Sequence, residues 1–208
     1  MPIYNKFKFN SNYKVFIWHI TENEDKLKSG LDLPISHKNK FSKIKSTKKK
    51  KEFLSILQLL LVSKIPLSDL YYNEKGKPFL RTNFISISHS FSFSIIVLSE
   101  KKIGTDIEKL RSKILKIKDR FFSKPESKSI NISSIDDLTK VWCVKEAVYK
   151  ASNIENLNFK NEIQIITKNK DFTSAKVKAE SSGFSEFFKI DIYKLENYIL
   201  SIAIEDVN

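Results

Sequence analysis

From Ile85 to Val97 the chain holds two residue types on alternate positions. Ile85, Ile87, His89, Phe91, Phe93, Ile95 and Val97 share one parity, and Ser86, Ser88, Ser90, Ser92 and Ser94 share the other. A two-residue period is the signature of a β-strand, whose side chains point to opposite faces in turn. The run exceeds the usual strand of about 5–6 residues, so it divides into two strands near His89-Ser90. Upstream, Phe53, Ile56, Leu57, Leu60 and Leu61 recur at helical spacing, with Ser46 or Thr47 as the cap and Pro66 beyond the end. The turn residues of Tyr72 to Pro78 separate the two patterns.

The second half repeats the mixture. A strand is expected over Ile103 to Ile107, and a helix over Ser112 to Ser123 with Ile114, Ile117 and Phe121 on one side. A loop follows over Ser129 to Ser134, then a helix from Leu138 to Ala151 capped by Asp136 or Asp137. Strands are expected over Glu162 to Ile166, Phe187 to Tyr193 and Tyr198 to Ile204. The order predicts an α+β fold in two halves, residues 1–101 and 102–208. No repeat of 20 to 50 residues is present.

Composition narrows the function classes. The 208 residues include no apolar run near the ~20 a membrane span needs, and MPIYNKFKFN lacks the apolar core of a secretory signal. The lone Cys143 excludes an internal disulfide and fits a reducing compartment. The expectation is a soluble, cytoplasmic protein. The formal charge is +13, which raises nucleic-acid binding as a rival reading. The cations are almost all lysine, and Lys, Asn, Ile, Phe and Ser are abundant, a mixture that an AT-rich genome encodes. What remains is a positive field that favours acidic partners. Lys48 to Lys51 open a helix against its dipole, either as a solvated charged turn or as part of an anion site.

Three acids stand apart. Asp106 and Glu108 lie two apart on an expected strand, so both carboxylates face one way, an arrangement that a hard divalent cation relieves. Glu146 interrupts an apolar helix beside Trp142 and Cys143, where a carboxylate is costly without a partner. Singly, each has a plain alternative: a surface strand edge for the pair, and a Glu146–Lys150 helix salt bridge at i,i+4. Together they form an acid and lysine set suited to a metal-bridged pyrophosphate. His89, flanked by Ser88 and Ser90 at a strand break, offers hydroxyls and an imidazole to phosphate oxygens. The P-loop, the dinucleotide glycine fingerprint and the G-x-S-x-G elbow are absent.

Five segments in order resemble the 4′-phosphopantetheinyl transferases: Gly76-Lys77-Pro78, Ile85 to Ser90, Ile103-Gly104-Thr105-Asp106-Ile107-Glu108, Phe121-Phe122-Ser123-Lys124-Pro125-Glu126 and Trp142 to Lys150. The likeness is to the two-half, monomeric branch typified by the surfactin-synthetase activating enzyme. Pro2-Ile3-Tyr4 and Trp18 to Glu22 resemble members from the Bacteroidetes lineage. The resemblance implies two pseudo-twofold α+β halves with the active site in the cleft between them, the first on the CoA side and the second carrying the metal site. It implies transfer of the phosphopantetheine arm of coenzyme A to a serine of an acidic acyl or peptidyl carrier protein, releasing 3′,5′-ADP. The carriers would be those of fatty-acid, polyketide or peptide synthesis, and Mg²⁺ or Mn²⁺ would be the ion. By position, Asp106, Glu108 and Glu146 are the implied metal ligands, and Glu126 the general base. Lys150 is implied to contact the diphosphate, with Lys145 nearby. Ser88, His89, Lys77, Pro78 and Lys49 are implied to touch CoA, as is Asp106. Thr105 replaces a branched aliphatic residue and Gln58 a common arginine. The rivals are a basic nucleic-acid-binding protein and an inactive relative that only holds CoA or a carrier.

Overall fold

A computed structural model of the chain describes Tyr4 and residues 9–207, and the Pro2-Ile3 of the resemblance lies outside them. The chain divides into two compact units, Met1–Glu100 and Lys101–Asn208. Both mix helix and antiparallel sheet. No helix among the described residues is long and apolar enough to cross a membrane.

In the first unit, β1 (Lys14–His19) is followed by α1 (Glu24–Lys28), α2 (Ile35–Ser42) and α3 (Thr47–Val62). Then come the two-residue strands β2 (Tyr71–Tyr72) and β3 (Pro78–Phe79), β4 (Phe84–Ser90) and β5 (Phe93–Ser99). The main sheet has the order β1-β5-β4. The alternating run is thus a hairpin, but it turns at Phe91-Ser92, slightly beyond the expected break, with Phe91 at φ 51°. Positive φ matches the twist that a two-residue hairpin turn requires. The serine cap of α3 is Ser46, whose side chain accepts from Lys49 N. Leu54, Leu57 and Leu60 of α3 are fully buried with Trp18, Ile85, Ile96 and Leu98. Each such leucine contributes about 1.5–3 kcal/mol of burial. Gln58 donates to the carbonyls of Leu27 (2.8 Å) and Ser29 (3.1 Å), tying α3 to the end of α1.

The second unit contains β6 (Ile103–Lys109), α4 (Lys113–Ile117), α5 (Ile135–Ala151), β7 (Ile163–Lys168), β8 (Ser174–Ser181), β9 (Phe184–Leu195) and β10 (Tyr198–Glu205). The sheet order is β6-β10-β9-β8-β7. The buried face of α5 (Val141, Val144, Ala147, Val148) joins Ile163, Val177, Phe188, Ile190, Ile199 and Ala203 in one core. Two expectations shift. The helix anticipated over 112–123 is only α4 and a 3₁₀ turn at Lys118–Arg120, where Phe121 N bonds Lys118 O three residues back. The cap of α5 is Ser134, not an aspartate: its side chain accepts from Asp137 N at 3.1 Å. Asp136 and Asp137 sit in the first turn instead, where the helix dipole favours negative charge.

Candidate active site on the second unit

Strand β6 and helix α5 meet because residue 104 has no side chain. A Cβ on Gly104 would lie 1.9 Å from Ala147 O and 2.8 Å from Ala151 N. Period two puts Asp106 and Glu108 on the same side of β6 as Gly104, toward α5. Helical spacing puts Cys143, Glu146, Ala147 and Lys150 on the α5 face turned to that strand. The close crossing therefore delivers the acids of one element to the acid and lysine of the other.

The polar contacts confirm this meeting. Lys150 Nζ donates to Asp106 Oδ1 at 2.7 Å and to Thr105 O at 3.0 Å. Lys150 thus reaches across to β6, and its charge also acts on Glu146. Burial foremost, and then the charge of Asp106, raises Glu146 to about 7; Lys150 pulls the other way and Glu108 pushes up. The same charges act on Cys143, whose thiol is pushed well above its ordinary value by burial, then by Asp106 and Glu108. Cys143 Sγ donates to Ile199 O at 3.6 Å. Thr105 Oγ1 donates to Ser201 O at 3.0 Å, so the polar β-branched residue fits the strand. Ser201 sits opposite Asp106 in the ladder, and its Oγ is buried with no hydrogen-bond partner among the described residues.

Glu108 also lines a pocket of about 130 Å³ with Lys109, Arg111, Lys113, Ile114, Ile117, Thr139 and Trp142. Among the described residues, no three or more His, Cys, Asp or Glu side chains stand already at liganding geometry for a metal. Asp106, Glu108 and Glu146 are within electrostatic reach of one another, with Lys150 as the cation among them. The donor set is all hard oxygen, and Glu146, raised to about 7 by burial and then by the charge of Asp106, is a buried carboxyl that a cation would stabilise in its charged form. Both features suit a divalent cation such as Mg²⁺ or Mn²⁺.

Glu126 and Lys145 are elsewhere in the interior. Lys145 is fully buried and donates to Phe121 O (2.7 Å), Phe159 O (2.9 Å) and Glu126 (2.8 Å to Oε1). A CoA contact through Lys145 would require withdrawing its ammonium from all three. Motif spacing could not show this, because Lys145 and Glu146 are neighbours in sequence and face different sides of the helix.

The expected first-unit residues are described within that unit alone. His89 is half exposed, with Nδ1 3.5 Å from the buried Glu52. Ser88 is buried on the other face of β4. Lys77 N donates to Asn73 Oδ1 (2.8 Å) in the turn before Pro78, which pairs with Tyr72. In the lysine run, Lys48 lies 3.6 Å from Glu52 and Lys50 lies 3.5 Å from Glu24, whereas Lys49 is exposed. The residues that sequence reasoning left without a role are Gly104 and Ser201. The glycine stands in the motif itself, but only the crossing distance shows its purpose.

The sequence model of the 4′-phosphopantetheinyl transferase superfamily matches residues 102–203. That segment, slightly under half of the chain, is similar to the superfamily. The chain is also 32% identical over 108 residues to the 4′-phosphopantetheinyl transferase gsp of Aneurinibacillus migulanus, covering 48% of this chain and 45% of the relative. It thus matches slightly less than half the length of that curated relative.

Proposed function

We propose that the protein is a 4′-phosphopantetheinyl transferase that moves the phosphopantetheine arm of coenzyme A to a serine of an acidic carrier protein. The observation that carries this reading is the junction of β6 and α5, where Lys150 bonds Asp106 beside Glu146 and Glu108. Asp106, Glu108 and Glu146 would hold the ion. When bound, Mg²⁺ or Mn²⁺ supplies the positive charge that draws electron density from a diphosphate. Lys150 steadies charge on the phosphoryl oxygens, a role in which positioned cations dominate phosphoryl transfer. The carrier serine oxygen forms the new P–O bond, the bond to 3′,5′-ADP breaks, and the hydroxyl proton is released. In the first unit, Lys49, Lys77, Pro78, Ser88 and His89 belong to the proposal as contacts to CoA. A monomer is the oligomeric state that this reading expects.

The nucleic-acid reading is weaker, because carboxylates clustered beside the lysine would repel a phosphate backbone. The test is incubation of the purified protein with CoA, Mg²⁺ and a panel of apo-carriers, read by intact mass. The proposal expects at least one carrier to gain a single phosphopantetheine. No gain on any carrier, together with DNA affinity that falls steeply with salt, would overturn it in favour of the rival.

A further inference from the structure

We infer that Glu126 and Lys145 are a positioning pair that holds α5 beneath the acids, rather than a proton acceptor and a substrate contact. The inference rests on the transferase reading, since it assigns how that site is supported. Glu126 is 5% exposed and Lys145 is 0% exposed. Lys145 Nζ lies 2.8 Å from Glu126 Oε1 and 3.1 Å from Oε2. Oε2 also accepts from Ser123 N at 2.8 Å, and Oε1 from Ile165 N at 3.5 Å. A general base needs its oxygen within about 2.6–3.2 Å of the atom whose proton it takes. Here both oxygens already face an ammonium and backbone amides inside the protein.

What the pair joins explains its place. Lys145 gathers the carbonyls of Phe121 and Phe159, and Glu126 gathers Ser123 and β7 at Ile165. The rings of Phe121 and Phe159 flank Trp142, one turn up the same helix: Phe121 edge-on at 5.2 Å and Phe159 stacked at 5.6 Å. The inner side of α5 is thereby pinned to two loops and a strand. The β6-facing side, which carries Glu146 and Lys150, is set in angle by that anchorage. Buried ion pairs are strongly destabilising to break, because the remaining charge is uncompensated.

Trp142 makes the pair observable. The chain has two tryptophans, so a Trp18→Phe background leaves Trp142 as the sole tryptophan, read by excitation at wavelengths that tyrosine does not absorb. In that background Glu126→Ala is expected to shift Trp142 emission to the red, lower the melting temperature by roughly 10 °C and depress kcat. Glu126→Gln keeps the shape and an acceptor oxygen but loses the charge and cannot act as a base, so part of the fall in melting temperature remains. It is expected to restore the emission and to bring kcat within about tenfold of the parent. A larger kcat loss in Glu126→Gln with parental emission would assign Glu126 to proton transfer, whose loss costs about 10²–10⁴-fold, and would overturn the inference. Should Glu126→Ala fail to fold, Glu126→Gln and Lys145→Met carry the test. Lys145→Met should disturb Trp142 emission; a raised KM for CoA with undisturbed emission would contradict the pair. A parent without turnover would remove the transferase reading, whereas the emission and melting data would still decide the pair.

Discussion

Glu146 carries a local electrostatic conflict in the second unit. Burial and the charges of Asp106 and Glu108 raise it to about 7 from an ordinary 4.5, against the pull of Lys150. A raised carboxyl means that the folded protein holds a proton the unfolded chain has lost. Stability without metal therefore falls as pH rises from about 4.5 to about 7, then levels off. Replacing Glu146 by glutamine should raise the melting temperature of the metal-free protein at pH 8, where the wild type must carry the charge. The gain should vanish at pH 4, where both forms are neutral. The same variant should lose at least 100-fold in carrier modification, a loss of the size seen when a group stabilising transition-state charge is removed. Thermal melts at the two pH values and a mass assay check both halves. A Glu146→Gln protein that is fully active, or less stable at pH 8, would contradict this account of the site.

At the scale of elements, the crossing of β6 and α5 is the joint that matters. Gly104→Ala pushes a methyl into the backbone of α5 near Ala147, where the obstacle cannot rotate away. Overpacking of this kind costs about 1–3 kcal/mol or more, and here it also separates Lys150 from Asp106. Ser134→Ala is the natural control: loss of the cap should cost about 1 kcal/mol while the far end of α5 stays in place. We expect Gly104→Ala to lose most activity even at temperatures where it remains folded, and Ser134→Ala to keep it; denaturant titration with the mass assay checks the contrast. Much of this joint was legible in sequence, since Asp106, Glu108, Glu146 and Lys150 sit on elements whose periods are clear. The rest was not, for physical reasons. The helix pattern does not reveal that Lys145 reaches Glu126 and the carbonyls of Phe121 and Phe159, because those partners lie outside the helix. Strand β8 is not legible in the sequence because Ala175, Lys176, Lys178 and Ala179 are weak strand formers, held by neighbours on both edges. The short helices α1 and α2 lack enough turns to show a period.

Over the whole molecule, the formal charge of +13 is a long-range influence and not a site. Carriers of the expected kind are acidic, so the field should speed encounter. Raising salt from about 50 to 500 mM shortens the screening length to a few ångströms. We expect kcat/KM for the carrier to fall about tenfold over that range with kcat nearly constant, measured by steady-state kinetics. An unchanged kcat/KM would show that the charge reflects composition alone. The central claim, however, is that residues 106, 108 and 146 form one metal-binding locus. Titration of Mn²⁺ in the presence of CoA, followed by electron paramagnetic resonance, tests it most directly. The account predicts one bound ion per chain, with affinity that weakens as pH falls through about 7, where Glu146 takes up its proton, and loss of that binding in Glu146→Gln. Equal Mn²⁺ binding by the wild type and the variant would contradict it.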